Sequence, residues 1–312
     1  LKTKKIWLTS DKGMVGSAIA RAFKKKNIRY ISTNRNRLNL LDQNKVFNWV
    51  KKNRPNIIFL TSAKVGGIYA NSSYPGSFIY ENIQIQNNII EASRLFKVEK
   101  LVFLGSSCIY PKNCKQPIKE EYLLSGELEK TNQWYAVAKI SAIKMIQAYK
   151  EQFGCNFISL MPCNMYGPND NYHPLNSHVL AALIRKFVLA KKQKKNIVEI
   201  WGSGKPLREF MHVDDFAEAT IFASKKYNSS KPINIGTGEE INIKKLGLLI
   251  ARLSEFKGKI VFNKNYPDGT KRKILNSNKI KKIGWKPRIK LKDGIKRTIK
   301  SFINESISNI AD

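Results

Sequence analysis

Tyr135-Ala-Val-Ala-Lys139 sits in a helical pattern that continues through Ile140, Ile143, Met145 and Ile146. Four residues make about one helical turn, so the phenol and the ammonium share a face. An unperturbed tyrosine titrates at about 10 and is a poor proton donor or acceptor at neutral pH. A cation beside it favours the phenolate, which predicts an acidified Tyr135. Upstream, Leu101-Val-Phe-Leu104 reads as a buried parallel strand ended by Gly105-Ser-Ser-Cys108. Ser106, delivered by that strand end, would hold a substrate oxygen next to Tyr135. A Tyr-x-x-x-Lys spacing alone also fits an interface tyrosine and a solvated lysine. The strand-end serine and a glycine-rich turn near the N-terminus are what turn it toward proton transfer beside a bound dinucleotide.

That turn is Ser10-Asp-Lys12-Gly13-Met14-Val15-Gly16, between a strand at residues 5–9 and a helix through residue 26. It is the dinucleotide fingerprint with Ser10 in place of the first glycine. Gly13 would let the backbone approach a pyrophosphate at the helix N-terminus, and Gly16 would allow close helix–strand packing. A serine forced into a left-handed backbone at position 10 would cost about 1–2 kcal/mol, roughly tenfold in cofactor affinity. The acidic residue that NAD-preferring sites carry about 20 residues further on is absent. Arg35 and Arg37 stand there instead, with Lys12 in the loop, so NADPH is expected over NADH. Each of these cations also fits plain surface charge in so basic a chain. The paired glycines of Lys64-Val-Gly-Gly67 suit a loop closing over a cofactor, or a simple turn.

Further strands at residues 29–32, 56–60 and 156–161 alternate with helical stretches. This spacing predicts an α/β fold, a Rossmann-type doubly wound parallel sheet with right-handed crossovers. Beyond Pro168 the pattern changes to polar turns, a helix at residues 178–192 and short alternating elements. The expected organisation is a dinucleotide-binding domain at 1–167, its sheet completed by a return segment near 210–238. A smaller C-terminal α/β substrate domain at 168–312 would complete the chain, with the binding cleft between the two.

At 312 residues the chain can bury a substantial core. No apolar run approaches a membrane span and no signal peptide is visible, so no membrane partner and a cytoplasmic location are expected. Cys108, Cys114, Cys155 and Cys163 form no Cys-x-x-Cys pair and have no metal-like histidine spacing, which fits reduced thiols and no metal. Fifty-six Lys and Arg against 23 Asp and Glu give a net charge of +33. Nucleic-acid binding is the obvious reading of such a field. The lysines, however, are scattered through every segment rather than gathered in a stripe. No nucleic-acid partner is expected, and the field suits nucleotide cofactors and nucleotide-sugars.

With these pieces in one chain, the sequence resembles the extended short-chain dehydrogenase/reductase family, whose Ser-Tyr-Lys trio falls on Ser106, Tyr135 and Lys139. A narrower likeness runs in order along nearly the whole chain. It is carried by Ala63-Lys-Val-Gly-Gly-Ile68, Gly105-Ser-Ser-Cys-Ile-Tyr-Pro111, Asn176-Ser-His178-Val, Trp201-Gly-Ser-Gly204, Arg208-Glu-Phe-Met-His-Val-Asp-Asp215 and Pro267-Asp-Gly-Thr270. These look like the branch that epimerises carbons 3 and 5 of GDP-4-keto-6-deoxy-D-mannose and then reduces carbon 4, giving GDP-L-fucose. The resemblance implies Cys108 as base and His178 as acid on opposite faces of the sugar. It implies NADPH/NADP+ contacts at Ser10, Lys12, Gly13, Met14, Val15, Gly16, Arg35, Lys64, Lys139 and Asn164. For the GDP-sugar it implies His178, Lys186, Trp201, Arg208 and Lys273, with Lys186 where the family tends to carry arginine. It also implies a homodimer.

Chemically, a free thiol is only a few per cent thiolate at pH 7, so Cys108 needs a nearby cation or loop dipole. A modest upward shift would make His178 an acid at neutral pH. A small buried thiol and a helix-start histidine fit the same positions without catalysis. Three other functions stay open: a related enzyme making another sugar such as GDP-colitose, a single-function 4-reductase, and a non-catalytic dinucleotide sensor.

Overall fold

The computed structural model describes residues 1–266 and 268–311. The first part alternates β1 (Ile6–Leu8), α1 (Met14–Lys25), β2 (Ile31–Ser32), α2 (Gln43–Asn53), β3 (Ile57–Leu60), α3 (Ile68–Ser73) and α4 (Pro75–Leu95). β4 (Lys100–Leu104), α5 (Gln133–Phe153), β5 (Phe157–Pro162) and β6 (Asn164–Tyr166) follow. Next come α6 (Val179–Lys192), β7 (Ile197–Trp201), β8 (Leu207–His212), α7 (Val213–Lys226) and β9 (Ile233–Ile235). The chain closes with β10 (Glu240–Asn242), α8 (Ile243–Leu253), β11 (Lys259–Asn263), β12 (Arg272–Lys273), α9 (Asn278–Lys282) and α10 (Leu291–Ala311). Pro75 opens α4, where its missing N–H costs nothing, and so separates α3 from α4.

The main sheet is parallel, in the order β2-β1-β3-β4-β5-β9. Its inner strands are buried at every position, Ile-Ile-Phe-Leu in β3 and Lys-Leu-Val-Phe-Leu in β4. Helices cover both faces, which is why these strands are continuous apolar runs. From β1 the chain reaches β2 on one side and β3 on the other. The loops at the carboxyl ends of β1 and β3 therefore diverge and open a crevice, the usual place for a dinucleotide.

Residues far along the chain return to this sheet. α7 packs against α1, with Arg21–Asp214 and Lys26–Glu218 pairs at its rim, and β9 then adds beside β5. A second sheet, β10-β8-β12, is joined to the first through β6, which follows β5 directly and pairs with β8. β7 and β11 pair separately. A second core forms here from Leu183, Ile184 and Phe187 of α6, Leu246 and Ile250 of α8, and Ile295 and Ile299 of α10. Among the described residues no helix is long and apolar enough to cross a membrane.

Candidate active site

A cleft of about 1360 Å³ runs from the turn after β1 to the end of β7, between the two cores. That exceeds the roughly 300–1,000 Å³ of an ordinary small-molecule site and leaves room for two nucleotide-sized ligands. Its walls include Ser10, Gly13, Met14, Val15, Gly16, Arg35, Lys64, Ser106, Cys108, Tyr135, Asn164, His178, Lys186, Trp201, Arg208 and Lys273. Three of the residues expected there are not on its walls. Lys12 and Arg37 are exposed to solvent on their loops, and Lys139 is 3% exposed, beneath the floor.

The fingerprint turn is tight without a first glycine. Ser10 has no positive φ, so the left-handed cost expected for a serine there does not arise. Its backbone is strapped to β3 instead: Ser10 N–H donates to Thr61 Oγ1 (3.1 Å), and the Thr61 hydroxyl donates to Ser10 O (2.7 Å). Gly16 is required by this closeness, because a Cβ there would lie 2.0 Å from Ser10 O. At Gly13, which precedes α1, a Cβ would meet nothing within 4 Å. The free side of Gly13, next to the exposed N–H groups that begin α1, is a cradle that fits a dinucleotide pyrophosphate. Arg35 borders the cleft after β2, while Lys64 is paired with Glu81 and Asn164 donates to Glu209 O (2.9 Å).

The strand end of β4 and the first turns of α5 bring the proton-transfer groups together. Ser106 caps a 3-10 turn and accepts from Cys108 N–H (3.2 Å). Lys139 Nζ donates to Leu104 O (2.9 Å) and lies 5.7 Å from the Tyr135 ring centre. The acidified phenol expected from the sequence is not found. Burial first, and then the neighbouring Cys108 sulfur, push the Tyr135 pKa well up. Lys139 cannot oppose this strongly, because burial pulls its own pKa down to about 7. Tyr135 is therefore a neutral hydrogen-bond donor across the working pH range.

The buried ammonium has a consequence for stability. Lys139 binds fewer protons folded than unfolded between pH about 7 and its ordinary value of 10.5, so its destabilisation is full below pH 7 and fades above it. Lys139→Met is expected to stabilise the ligand-free protein at pH 7 by roughly 1–2 kcal/mol. Thermal melts at pH 7 and pH 10 check this: the gain should shrink at the higher pH.

Cys108 and Lys273 meet through the β12–β8 pairing. The Lys273 ammonium lies 3.6 Å from Cys108 Sγ, and Asn132 Nδ2 lies 3.4 Å from it. Lys273, expected as a contact of the GDP-sugar, stands against the thiol. A polar network fixes the arrangement. Tyr110 OH donates to Asn234 Oδ1 (2.6 Å), and Asn234 Nδ2 donates to Ile118 O and Asn276 O. Asn132 has no motif around it and could not be singled out from sequence.

His178 sits at the start of α6, exposed to the cleft interior. The expected upward shift is reversed: enclosure by the cleft walls, and then the Lys273 ammonium, lower its pKa. Its loop is latched to the other core. Gly67 N–H donates to Asn176 O (2.9 Å), and a Cβ on Gly67 would come within 2.8 Å of Ser177 O. Gly67→Ala is therefore expected to displace the His178 loop. Overpacking of this kind costs about 1–3 kcal/mol. A misplacement near 1 Å can cost about a hundredfold in rate. Chemistry that depends on His178 should fall more than cofactor-dependent reduction when the two are assayed separately.

At the far end, Lys186 Nζ lies 4.6 Å from the Trp201 ring centre and donates to Glu199 O (2.9 Å). Trp201 stacks on Tyr266 with ring centres 4.2 Å apart and planes at 10°. Sequence reading missed Tyr266, which lies in an irregular stretch without a motif. Of the Pro267-Asp-Gly-Thr270 stretch, Pro267 lies outside the described residues; Asp268 accepts from both Ser203 N–H and Ser203 Oγ. Arg208 borders the cleft nearby, its Nη1 donating to Leu207 O.

Residues 8–236 match the model of the NAD dependent epimerase/dehydratase family. A GDP-L-fucose synthase of Sinorhizobium fredii is 47% identical over 312 residues, covering 100% of this chain and 98% of its own. The GDP-L-fucose synthase of Escherichia coli is 43% identical, covering 97% and 98%. Among solved structures, a GDP-mannoheptose C4 reductase from Campylobacter jejuni with NADP bound superposes with a TM-score of 0.90. It is 37% identical and covers 97% of this chain and 99% of that one. The fingerprint turn, the Ser106–Tyr135–Lys139 trio and likeness over the full length agree: the chain belongs to the NAD dependent epimerase/dehydratase family, the extended short-chain dehydrogenases/reductases, in the branch that holds the GDP-L-fucose synthases.

Proposed function

We propose that this chain converts GDP-4-keto-6-deoxy-D-mannose to GDP-L-fucose with NADPH, inverting carbons 3 and 5 and then reducing the ketone at carbon 4. The observation that carries this reading is that one cleft is bordered by a thiol, an imidazole and a phenol. Inversion beside a ketone needs a proton removed from one face and another delivered to the opposite face. Cys108 comes from the loop after β4 and His178 from the start of α6, so the two groups reach the cleft from different cores. Cys108 removes the proton, with Lys273 as the positive charge opposite its thiolate, and His178 delivers one. Each group of this kind is typically worth about 10²–10⁴ in rate.

Ser106 and the neutral Tyr135 grip the keto oxygen and stabilise the enolate. NADPH, when bound, supplies the hydride for carbon 4. Tyr135 then gives its proton to the carbonyl oxygen, while Lys139, bonded to Leu104 O, supports the floor on which the nicotinamide ribose would rest. Gly13 and the start of α1 receive the pyrophosphate, and Arg35 favours the 2′-phosphate of NADPH. Arg208 and Lys186 bind the GDP diphosphate, and Trp201, stacked on Tyr266, borders the nucleotide end. A cytoplasmic homodimer is the matching setting. The packed pair α4 and α5 leaves Tyr80 and Leu95 of one helix and Val137 and Phe153 of the other exposed.

A second reading, a single-function 4-reductase, draws support from the likeness to the Campylobacter C4 reductase. NMR of the product made from GDP-4-keto-6-deoxy-mannose and NADPH separates the two. Both inversions with reduction are expected; reduction with carbons 3 and 5 unchanged would establish the second reading. Tight NADPH binding without any turnover would sink both.

A further inference from the structure

Beside Cys108 a small cavity of about 30 Å³ adjoins the main cleft, the two sharing Cys108, Lys112, Glu129, Asn132, Thr270 and Lys273 in their walls. A water molecule needs roughly 10–15 Å³ on this measure and two to four polar partners. Here Cys108, Gln116, Glu129, Asn132, Thr270 and Lys273 line the wall. Lys112 and Arg272 are the other charged side chains facing it. One turn places two of these groups, since Asn132 N–H donates to Glu129 O (3.1 Å). The Glu129 carboxylate is paired with Lys112 (3.2 Å) and lies 3.5 Å from Thr270 Oγ1. Its side chain is 18% exposed, so it also touches solvent.

The proposed function, on which this inference rests, asks one thiolate to remove two protons in each turnover. Between the two removals Cys108 must give up the first proton while sugar and cofactor fill the cleft. We propose that Glu129 carries that proton out, through a water in the small cavity, while Lys273 holds the thiolate in place. In atoms, the carbon–hydrogen bond breaks and an S–H bond forms on Cys108. The S–H bond then breaks, its proton passing to the water as that water gives one of its own to a Glu129 oxygen. Glu129 releases the proton to bulk solvent, and no electrons are gained or lost overall.

The test is exchange of the hydrogens at carbons 3 and 5 for solvent deuterium, with NADP+ bound so that reduction cannot follow. The native protein should exchange continuously. Glu129→Gln should give a burst of about one deuteron per active site followed by exchange at least tenfold slower, with NADPH affinity unchanged. Lys112→Met, which removes the ion pair and keeps the carboxylate, should exchange continuously. Should Glu129→Gln lose NADPH binding, Thr270→Ile, which fills the cavity and keeps Glu129, should show the same burst.

Continuous exchange at the native rate in Glu129→Gln overturns the proposal, as does a burst in Lys112→Met. A raised KM with undiminished exchange also overturns it and makes Glu129 a sugar contact. Cys108→Ser distinguishes the deeper failure: native exchange in that variant removes Cys108 as the base and the outlet with it.

Discussion

Cys108→Ser is expected to slow solvent deuterium incorporation at carbons 3 and 5 by about 10²–10⁴, with NADPH binding unchanged. A serine hydroxyl keeps the size and the hydrogen-bond capacity of the site but hardly ionises at neutral pH. The Lys273 ammonium, 3.6 Å away, then has no anion to face. The remaining half of the inversion machinery sets the pH dependence. His178 acts in its protonated form, and its pKa is pushed below 6.5 by enclosure and by Lys273. Activity that depends on this acid is present below that pKa and declines as pH rises through it. The alkaline decline of kcat/KM for exchange should therefore begin below pH 6.5, earlier than an ordinary imidazole would dictate. An alkaline decline that begins above pH 7.5 would remove His178 in its free-enzyme state as the limiting acid.

What could be read in the sequence was whatever depends on neighbours along the chain. The Tyr135–Lys139 spacing, the serine ending β4, the glycines around α1 and the histidine opening α6 are all set within a turn or a strand of each other. Long-range placement was not legible in the same way. Lys273 lies 165 positions from Cys108 and reaches it only because β12 pairs with β8 and the Asn234 network holds the intervening loop. Only the resemblance to a family marked Lys273 at all, as a contact of the GDP-sugar, and nothing local in the sequence marked it as the cation beside Cys108.

The signs of the pKa shifts failed for a related reason. Proximity to a cation can be counted from sequence, whereas desolvation is a property of packing, and burial sets the direction at Tyr135. Ser10 settles a condition the sequence left open. A left-handed backbone would have penalised the serine, but Thr61, from the neighbouring strand end, straps it in an ordinary backbone conformation.

The reversed sign at Tyr135 sharpens what its removal should do. A phenol kept neutral by burial has its proton available when negative charge develops on the carbon-4 oxygen, so Tyr135→Phe removes both the donor and a grip on that oxygen. Reduction is expected to fall by about 10²–10⁴, and exchange at carbons 3 and 5 should fall too, by about 10²–10³, because the enolate loses the same donor. Cofactor binding should persist, since the cradle at Gly13 and the Thr61 strap do not involve the phenol. This pattern differs from that of Cys108→Ser, which removes exchange but leaves the carbonyl grip. If Tyr135→Phe instead abolished reduction while exchange ran at the native rate, the two halves of the reaction would use different oxygen-binding groups. The raised pKa adds a second, independent check. The native protein should show no loss of reduction attributable to phenol ionisation between pH 6 and pH 10, where an acidified tyrosine would already be losing its proton.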